Sequence, residues 1–285
     1  MLPTLVIIII SLIWGSTFWI IKVSLKEISV MTLMSYRFLL AAIVLLPWVY
    51  LYRSQLRKNL YGGLVMGGVL WGAYVLQFFG LTMTTAANSG FITGLYLIFV
   101  PAFQYLVHKR GLQWIQGSSI VVALSGLWLL THGIQGVNAG DILTVVSASC
   151  IGAQILLVDH FTREDTNLFL LNFIQFFVVG VLSLGVGLCK GEIFVLERGT
   201  SYVVLGYLGI IATVFCFFGQ FWAQKYISAV KASLLFMIEP LSAAIFAWTM
   251  GDEIATTYSV MGGLIVLVGV SLPDLQKVLK TLRSG

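Results

Sequence analysis

Ten apolar runs, each about as long as a bilayer is thick, leave this chain little choice of fold. Crossing roughly 30 Å of hydrocarbon takes about 20 helical residues. Runs of that order occupy Pro3 to Val23, Thr32 to Tyr52, Leu60 to Thr82, Ala87 to Val107, Gln113 to His132, Asp141 to Val158, Leu168 to Cys189, Tyr202 to Gln224, Val230 to Met250 and Thr256 to Pro273. In lipid a spanning segment must satisfy its backbone internally, which continuous runs of this kind do as α-helices. With 59% hydrophobic and 9% charged residues among 285 and a mean hydropathy of +0.99, the connections are too short for a soluble domain. The first run lacks a basic leader and a small-residue cleavage site, so it reads as a retained helix rather than a signal peptide.

A net charge of +5 would point to nucleic acid in a soluble protein. Here the basic residues follow topology instead, since Lys and Arg accumulate in cytoplasmic loops. With the N-terminus inside, the inner loops and tail hold Arg53, Arg57, Lys58, Lys109, Arg110, Arg163, Lys225, Lys231, Lys277, Lys280 and Arg283, whereas the outer side holds Lys22, Lys26, Lys190 and Arg198, with Arg37 inside the second run. Both termini are therefore expected in the cytoplasm. The segment DHFTRED, residues 159 to 165, reads as the solvated linker between two halves and a hinge for their motion. Cys150, Cys189 and Cys216 show no paired spacing, so they read as packing residues rather than a disulfide or a metal site.

The second half echoes the first. SGFITGLYLIFVP ends at Pro101 and VKASLLFMIEP ends at Pro240, each in the fourth run of a half of five, and each is followed by a run with spaced glycines, Gly117 and Gly126, then Gly262 and Gly269. Five is odd, so tandem units of five helices sit upside down relative to one another, as in secondary transporters. The expected boundaries are 1–135 for the first repeat and 136–285 for the second. Pairing Pro101 with Pro240 leaves Glu239 without a counterpart, because Val100 precedes Pro101. Each proline removes a backbone donor and frees a carbonyl one turn back. Both are therefore read as helix breaks facing a cavity. The glycine pairs Gly63 with Gly67 and Gly68 with Gly72 read as packing contacts.

WGSTF at Trp14 to Phe18, YRFLLAA around Arg37, LQFFGLTMTTAANSGFITGLYLIFVP, the IEP at Glu239 and Pro240 and the GDE ending at Glu253 resemble the EamA-type transporters of the drug/metabolite transporter superfamily. The resemblance runs over nearly the whole chain. It implies an all-α integral membrane protein of ten helices in two inverted five-helix repeats around a central cavity, in the cell inner membrane. It also implies transport without ATP and a cavity walled by the first, third, fourth, sixth, eighth and ninth helices. The family's cargo ranges over amino acids, amines, vitamins and nucleotide-like compounds.

The residues themselves add chemistry. No phosphate-binding loop, HExxH or paired catalytic carboxylates appear, so neither an enzyme nor a cofactor is expected. Glu239 falls near mid-membrane, where an ionised acid is costly and intramembrane acids mark function. It is read either as a proton-coupling or cation-binding site, or as a protonated acid clamping two helices. Trp71, Tyr74, Gln77 and Phe78 share one helix face, as do Ser89, Thr93, Tyr96 and Gln104 on the next. With Trp14, Gln154, Gln220 and Glu239, the residues Trp71, Tyr74, Gln77, Phe78, Thr93 and Tyr96 are the expected substrate contacts. Lys22, Arg37, Asp252 and Glu253 are the expected gate, with Asp141 as a further partner. The expected activity is secondary active transport of a small organic metabolite by alternating access, coupled to protons through Glu239. An uncoupled exchanger, and a non-transporting membrane sensor or assembly protein, are the alternatives. The expected partners are a small-molecule substrate and the bilayer, without nucleic acid. Oligomeric state has no signature here.

Overall fold

A computed structural model describes residues 2–109, 111–131, 138–164, 166–192, 199–250 and 254–284, with side chains from all of these except 87, 108, 199–201 and 277–284. Among the described residues every regular element is a helix. In chain order they are α1 (Leu2–Ser24), α2 (Val30–Leu51), α3 (Leu56–Met83), α4 (Ala86–Thr93), α5 (Tyr96–His108), α6 (Trp114–Leu130), α7 (Ala139–Arg163), α8 (Leu168–Cys189), α9 (Gly199–Gly206), a π-helical stretch Tyr207–Phe215, α10 (Cys216–Gln224), α11 (Ala229–Phe236), α12 (Ile238–Met250) and α13 (Thr257–Ser284). Nine helical stretches among these residues are long and apolar enough to cross a membrane. The fifth expected span corresponds to the shorter α6, of 17 residues. α7 continues to Arg163, so Asp159 to Arg163 form its last turns. The expected hinge at 159 to 165 is corrected accordingly, with the i,i+4 pair Arg163 to Asp159 at 2.8 Å supporting the helix.

Two expected spans are broken, and the breaks are superposable in sequence. α4 and α11 each have 8 residues and α5 and α12 each have 13. Thr85 accepts from Asn88 N and Ser228 accepts from Lys231 N, so two hydroxyl caps stand 143 residues apart in sequence, as do the helix starts Ala86 and Ala229. At both breaks the backbone tightens to i→i−3 bonds, Leu95 N to Ile92 O at 3.0 Å and Met237 N to Leu234 O at 3.2 Å. The structure therefore corrects the expected helix break at Pro101. That proline lies inside α5, and the first break is at Gly94 and Leu95. Pro240 lies in the first turn of α12, where a missing donor is tolerated. The prolines are consequently out of register: Pro240 corresponds to Leu97, and Glu239 corresponds to Tyr96.

The same spacing organises the close crossings. A Cβ on Gly126 would sit 2.5 Å from Val266 N, and one on Gly269 would sit 2.6 Å from Ala123 N. These are the same contact with the halves exchanged, since Ala123 and Val266 are also 143 residues apart. Gly15 meets the Ser242 side chain and the Glu239 carbonyl, and Gly152 meets Phe99, which is 143 residues before Ser242, although Gly15 and Gly152 are themselves 137 apart. Without a hydrophobic drive between helices in lipid, such small-residue contacts carry the packing. Gly63 packs on Ile174 and Gly67 on Val178, but Gly68 and Gly72 have nothing within 4 Å, so only one of the two expected packing pairs is used. Gly126→Ala should lower the melting temperature in detergent by the equivalent of about 1–3 kcal/mol, because its neighbour is backbone and cannot move aside. Gly117→Ala, with open space around it, should be neutral or raise the melting temperature slightly.

Candidate functional site

The breaks aim the first turns of α5 and α12 at a shared cavity. It is lined by Trp14, Thr17, Phe18 and Ile21 of α1, Leu70, Tyr74, Gln77, Phe78 and Leu81 of α3, Thr93 and Tyr96 at the first break, Ile151, Gln154 and Ile155 of α7, Phe217 and Gln220 of α10, and Phe236 and Glu239 at the second break. The space open to the centre of a water is about 70 Å³, enough for roughly five to seven waters at 10–15 Å³ each. The spacing of 143 recurs in the wall, because Tyr74 and Phe217, Gln77 and Gln220, Thr93 and Phe236, and Tyr96 and Glu239 are equivalent pairs.

Aromatic rings give the cavity its shape. Trp14 packs on Phe217 at 5.3 Å and on Phe236 at 5.6 Å, and Tyr74 packs on Phe78 at 5.5 Å and on Phe217 at 6.4 Å. The Trp14 indole N–H donates to Ala212 O at 2.8 Å. That carbonyl lies in the π-helical stretch, whose altered bonding leaves acceptors for other partners. Thr213 Oγ1 donates back to Leu208 O at 2.7 Å, five residues earlier. Gln77 Nε2 donates to Thr93 Oγ1 at 3.1 Å, joining α3 to the first break.

Glu239 makes no hydrogen bond or ion pair to the described residues, so the clamp reading of its carboxylate is not realised in this state. The clamp between α1 and α12 is one turn on, where Ser242 Oγ donates to Leu12 O at 2.8 Å beside Gly15. The Tyr96 hydroxyl and the Gln154 Oε1 are buried without a partner among the described residues.

Nine of the ten expected substrate contacts line this cavity, namely Trp14, Tyr74, Gln77, Phe78, Thr93, Tyr96, Gln154, Gln220 and Glu239. Trp71 is brought elsewhere, its Nε1 donating to Ser183 Oγ on α8 at 3.2 Å. Thr17, Phe217 and Phe236 were not singled out in the sequence, although QFF at Gln77 and QFW at Gln220 repeat at the spacing that identifies Phe217 as the mate of Tyr74.

The expected gate residues separate. Lys22 donates from Nζ to Leu81 O at 2.7 Å and to Thr84 O, a cation on the carbonyl end of α3. Thr84 Oγ1 in turn donates to Asp141 Oδ1 at 2.8 Å. Asp141 also accepts from Asn138 N at 3.0 Å, so it is spent on the cap of α7 rather than on Arg37. Arg37 is 1% exposed: its Nε donates to Thr213 Oγ1 at 2.8 Å, and its guanidinium carbon lies 5.0 Å over the Tyr74 ring. Seven residues past the start of α2, it is about 10 Å along that helix, and it meets no acid among the described residues. Asp252 and Glu253 lie outside the described residues. At the far end of α7, about 37 Å away by helix rise, Arg163 Nη2 donates to Ile227 O at 3.4 Å. Ile227 is the equivalent of Thr84, so each end of the bundle ties the same carbonyl to a cation. A second, polar opening lies there, lined among others by Gln104, Gln116, Asp159, His160 and Arg163.

The model of the EamA-like transporter family matches residues 1–132 and again 138–272. An uncharacterised transporter of Archaeoglobus fulgidus is 29% identical over 94% of this chain and 84% of its own. The uncharacterised transporter YyaM of Bacillus subtilis is 27% identical over 91% and 89%. A solved crystal structure 18% identical shares the fold with a TM-score of 0.78 over 96% of each chain. This chain is a multi-pass membrane protein belonging to the EamA-like transporter family.

Proposed function

We propose that the protein is a secondary active transporter that carries a small organic metabolite across the plasma membrane, with the aromatic and amide cavity as its substrate site and Glu239 as its coupling group. The observation that carries this reading is the free carboxylate. A charged group buried in lipid is costly unless it is paired, neutral or wet. Glu239 lines a cavity and has no protein partner among the described residues, so its missing partner is a proton, a solute or both. Its equivalent in the other repeat is Tyr96, so the titratable acid is carried by one half only. We further propose ten spans divided near residue 135 into inverted halves, with alternating access arising as the Lys22 tie and the Arg163 tie open in turn.

Two experiments test this. A thermal-shift screen against amino acids, amines, vitamins and nucleosides identifies a solute through mass-action stabilisation. In proteoliposomes an inward proton gradient should stimulate its uptake by wild type, whereas Glu239→Gln should retain only the uptake seen without a gradient. Equal stimulation of the variant would remove Glu239 from coupling. For orientation, Cys189 is exposed at the Lys22 end while Cys216 is buried. With cytoplasmic termini, a membrane-impermeant maleimide should label Cys189 from outside intact cells, and protection of Cys189 until the cells are opened would reverse the topology.

A further inference from the structure

The hydrogen-bond polarity of the cavity is set by two side-chain relays, each anchored on a main-chain carbonyl. Leu168 O accepts from Asn172 Nδ2 at 2.9 Å, Asn172 Oδ1 accepts from Gln175 Nε2 at 2.9 Å, and Gln175 Oε1 accepts from Gln154 Nε2 at 2.9 Å. A carbonyl accepts only, so every amide in this chain has a forced orientation. The relay ends with Gln154 Oε1, a buried acceptor without a partner on a cavity-lining residue that is 3% exposed.

The second relay has the same logic. Ile155 O accepts from Gln224 Nε2 at 2.9 Å, and Gln224 Oε1 accepts from Gln220 Nε2 at 2.9 Å, so Gln220 also keeps its carbonyl oxygen for the cavity it lines. Other donors in the wall are committed: the Trp14 indole to Ala212 O and the Thr17 hydroxyl to Trp14 O at 2.7 Å. Arg37 is not a cavity-lining residue; it lies against the Tyr74 ring with Nε on Thr213, and its Nη1 and Nη2 are buried without a partner among the described residues, outside the wall. The wall therefore offers two oriented amide oxygens and the Glu239 carboxylate as acceptors, beside the hydroxyls of Tyr74 and Tyr96, which can donate or accept.

We propose that this acceptor cluster, formed by Gln154 and Gln220 with Glu239, selects a small organic cation whose primary ammonium donates to all three, and that Asn172 and Gln224 are positioning residues fixing that preference. An ammonium carries three donors and no acceptor, which matches the three acceptors of Gln154, Gln220 and Glu239, whereas a carboxylate would bring only acceptors to them. The free space limits the part of the solute held here to a few heavy atoms. This inference rests on reading the cavity as the transport site, but its binding test does not require transport.

The test uses full-length purified protein in lipid nanodiscs, titrated to about 50 mM with n-propylammonium, propionate or propionamide at constant ionic strength and followed by intrinsic tryptophan fluorescence and melting temperature. The result expected is saturable binding of propylammonium at least about tenfold tighter than of propionate, as charge-assisted hydrogen bonds imply. Gln154→Leu and Gln220→Leu should each weaken it by about tenfold. Asn172→Leu, which frees the first relay to reverse, should reduce the ammonium-to-carboxylate preference. Propionate binding as tightly as propylammonium, or neither saturating, overturns the proposal on the wild-type protein alone, whatever the folding of the variants. Counterflow of propylammonium in proteoliposomes separates the two readings. Binding without counterflow keeps the acceptor site and rejects transport, whereas counterflow confined to anionic solutes keeps transport and rejects the cation assignment.

Discussion

Hydrocarbon offers no water to an interrupted backbone, and that constraint decides where this fold can be broken. A helix that opens its hydrogen-bond ladder at membrane depth must do so against protein or a wet cavity. Both breaks obey it. Gly94 and Leu95 on one side and Met237 on the other tighten to shorter-range bonds and point the next turn inward. The residues of that turn, Tyr96 and Glu239, then meet across one cavity. The tight α1 to α12 contact at Gly15 seals the space beside the second break, and the aromatic box fills what the polar groups leave.

The two halves share a scaffold yet differ in chemistry. The equivalent positions Tyr74 and Phe217, Thr93 and Phe236, and Tyr96 and Glu239 hold different side chains on matching backbone. Gln77 and Gln220 hold the same side chain, but the first bonds a hydroxyl and the second ends an anchored relay. A repeated frame thus carries an acid in only one of its halves. The ends of the bundle repeat this pattern, with Lys22 on Thr84 O and Arg163 on Ile227 O using equivalent carbonyls and non-equivalent cations.

Much of this was legible in the sequence. Hydropathy locates the helices because span length is set by bilayer thickness, and amphipathic spacing puts Gln77, Thr93, Tyr96 and Glu239 on inward faces. The repeat was legible too, but pairing the prolines gives it the wrong register. Proline is a strong local signal, and in α5 it is absorbed inside the helix, whereas the break lies at Gly94, whose equivalent in the other half is Met237. The shared QF pair at Gln77 and Gln220 marks the true spacing. Trp71 and Arg37 show that a helical face tells which residues point inward but not which neighbouring helix they meet. The amide relays were out of reach, since Gln154 and Asn172 are joined only through tertiary packing between α7 and α8.

The most direct measurement is a structure of the full-length protein with 3-bromopropylammonium, locating the bromine by its anomalous scattering. The ammonium is expected within hydrogen-bonding distance of Gln154, Gln220 and Glu239, with the bromine against the ring of Trp14 or Phe217. Bromine confined to the polar opening near Asp159 and Arg163, with the central cavity free of the compound, would contradict that placement.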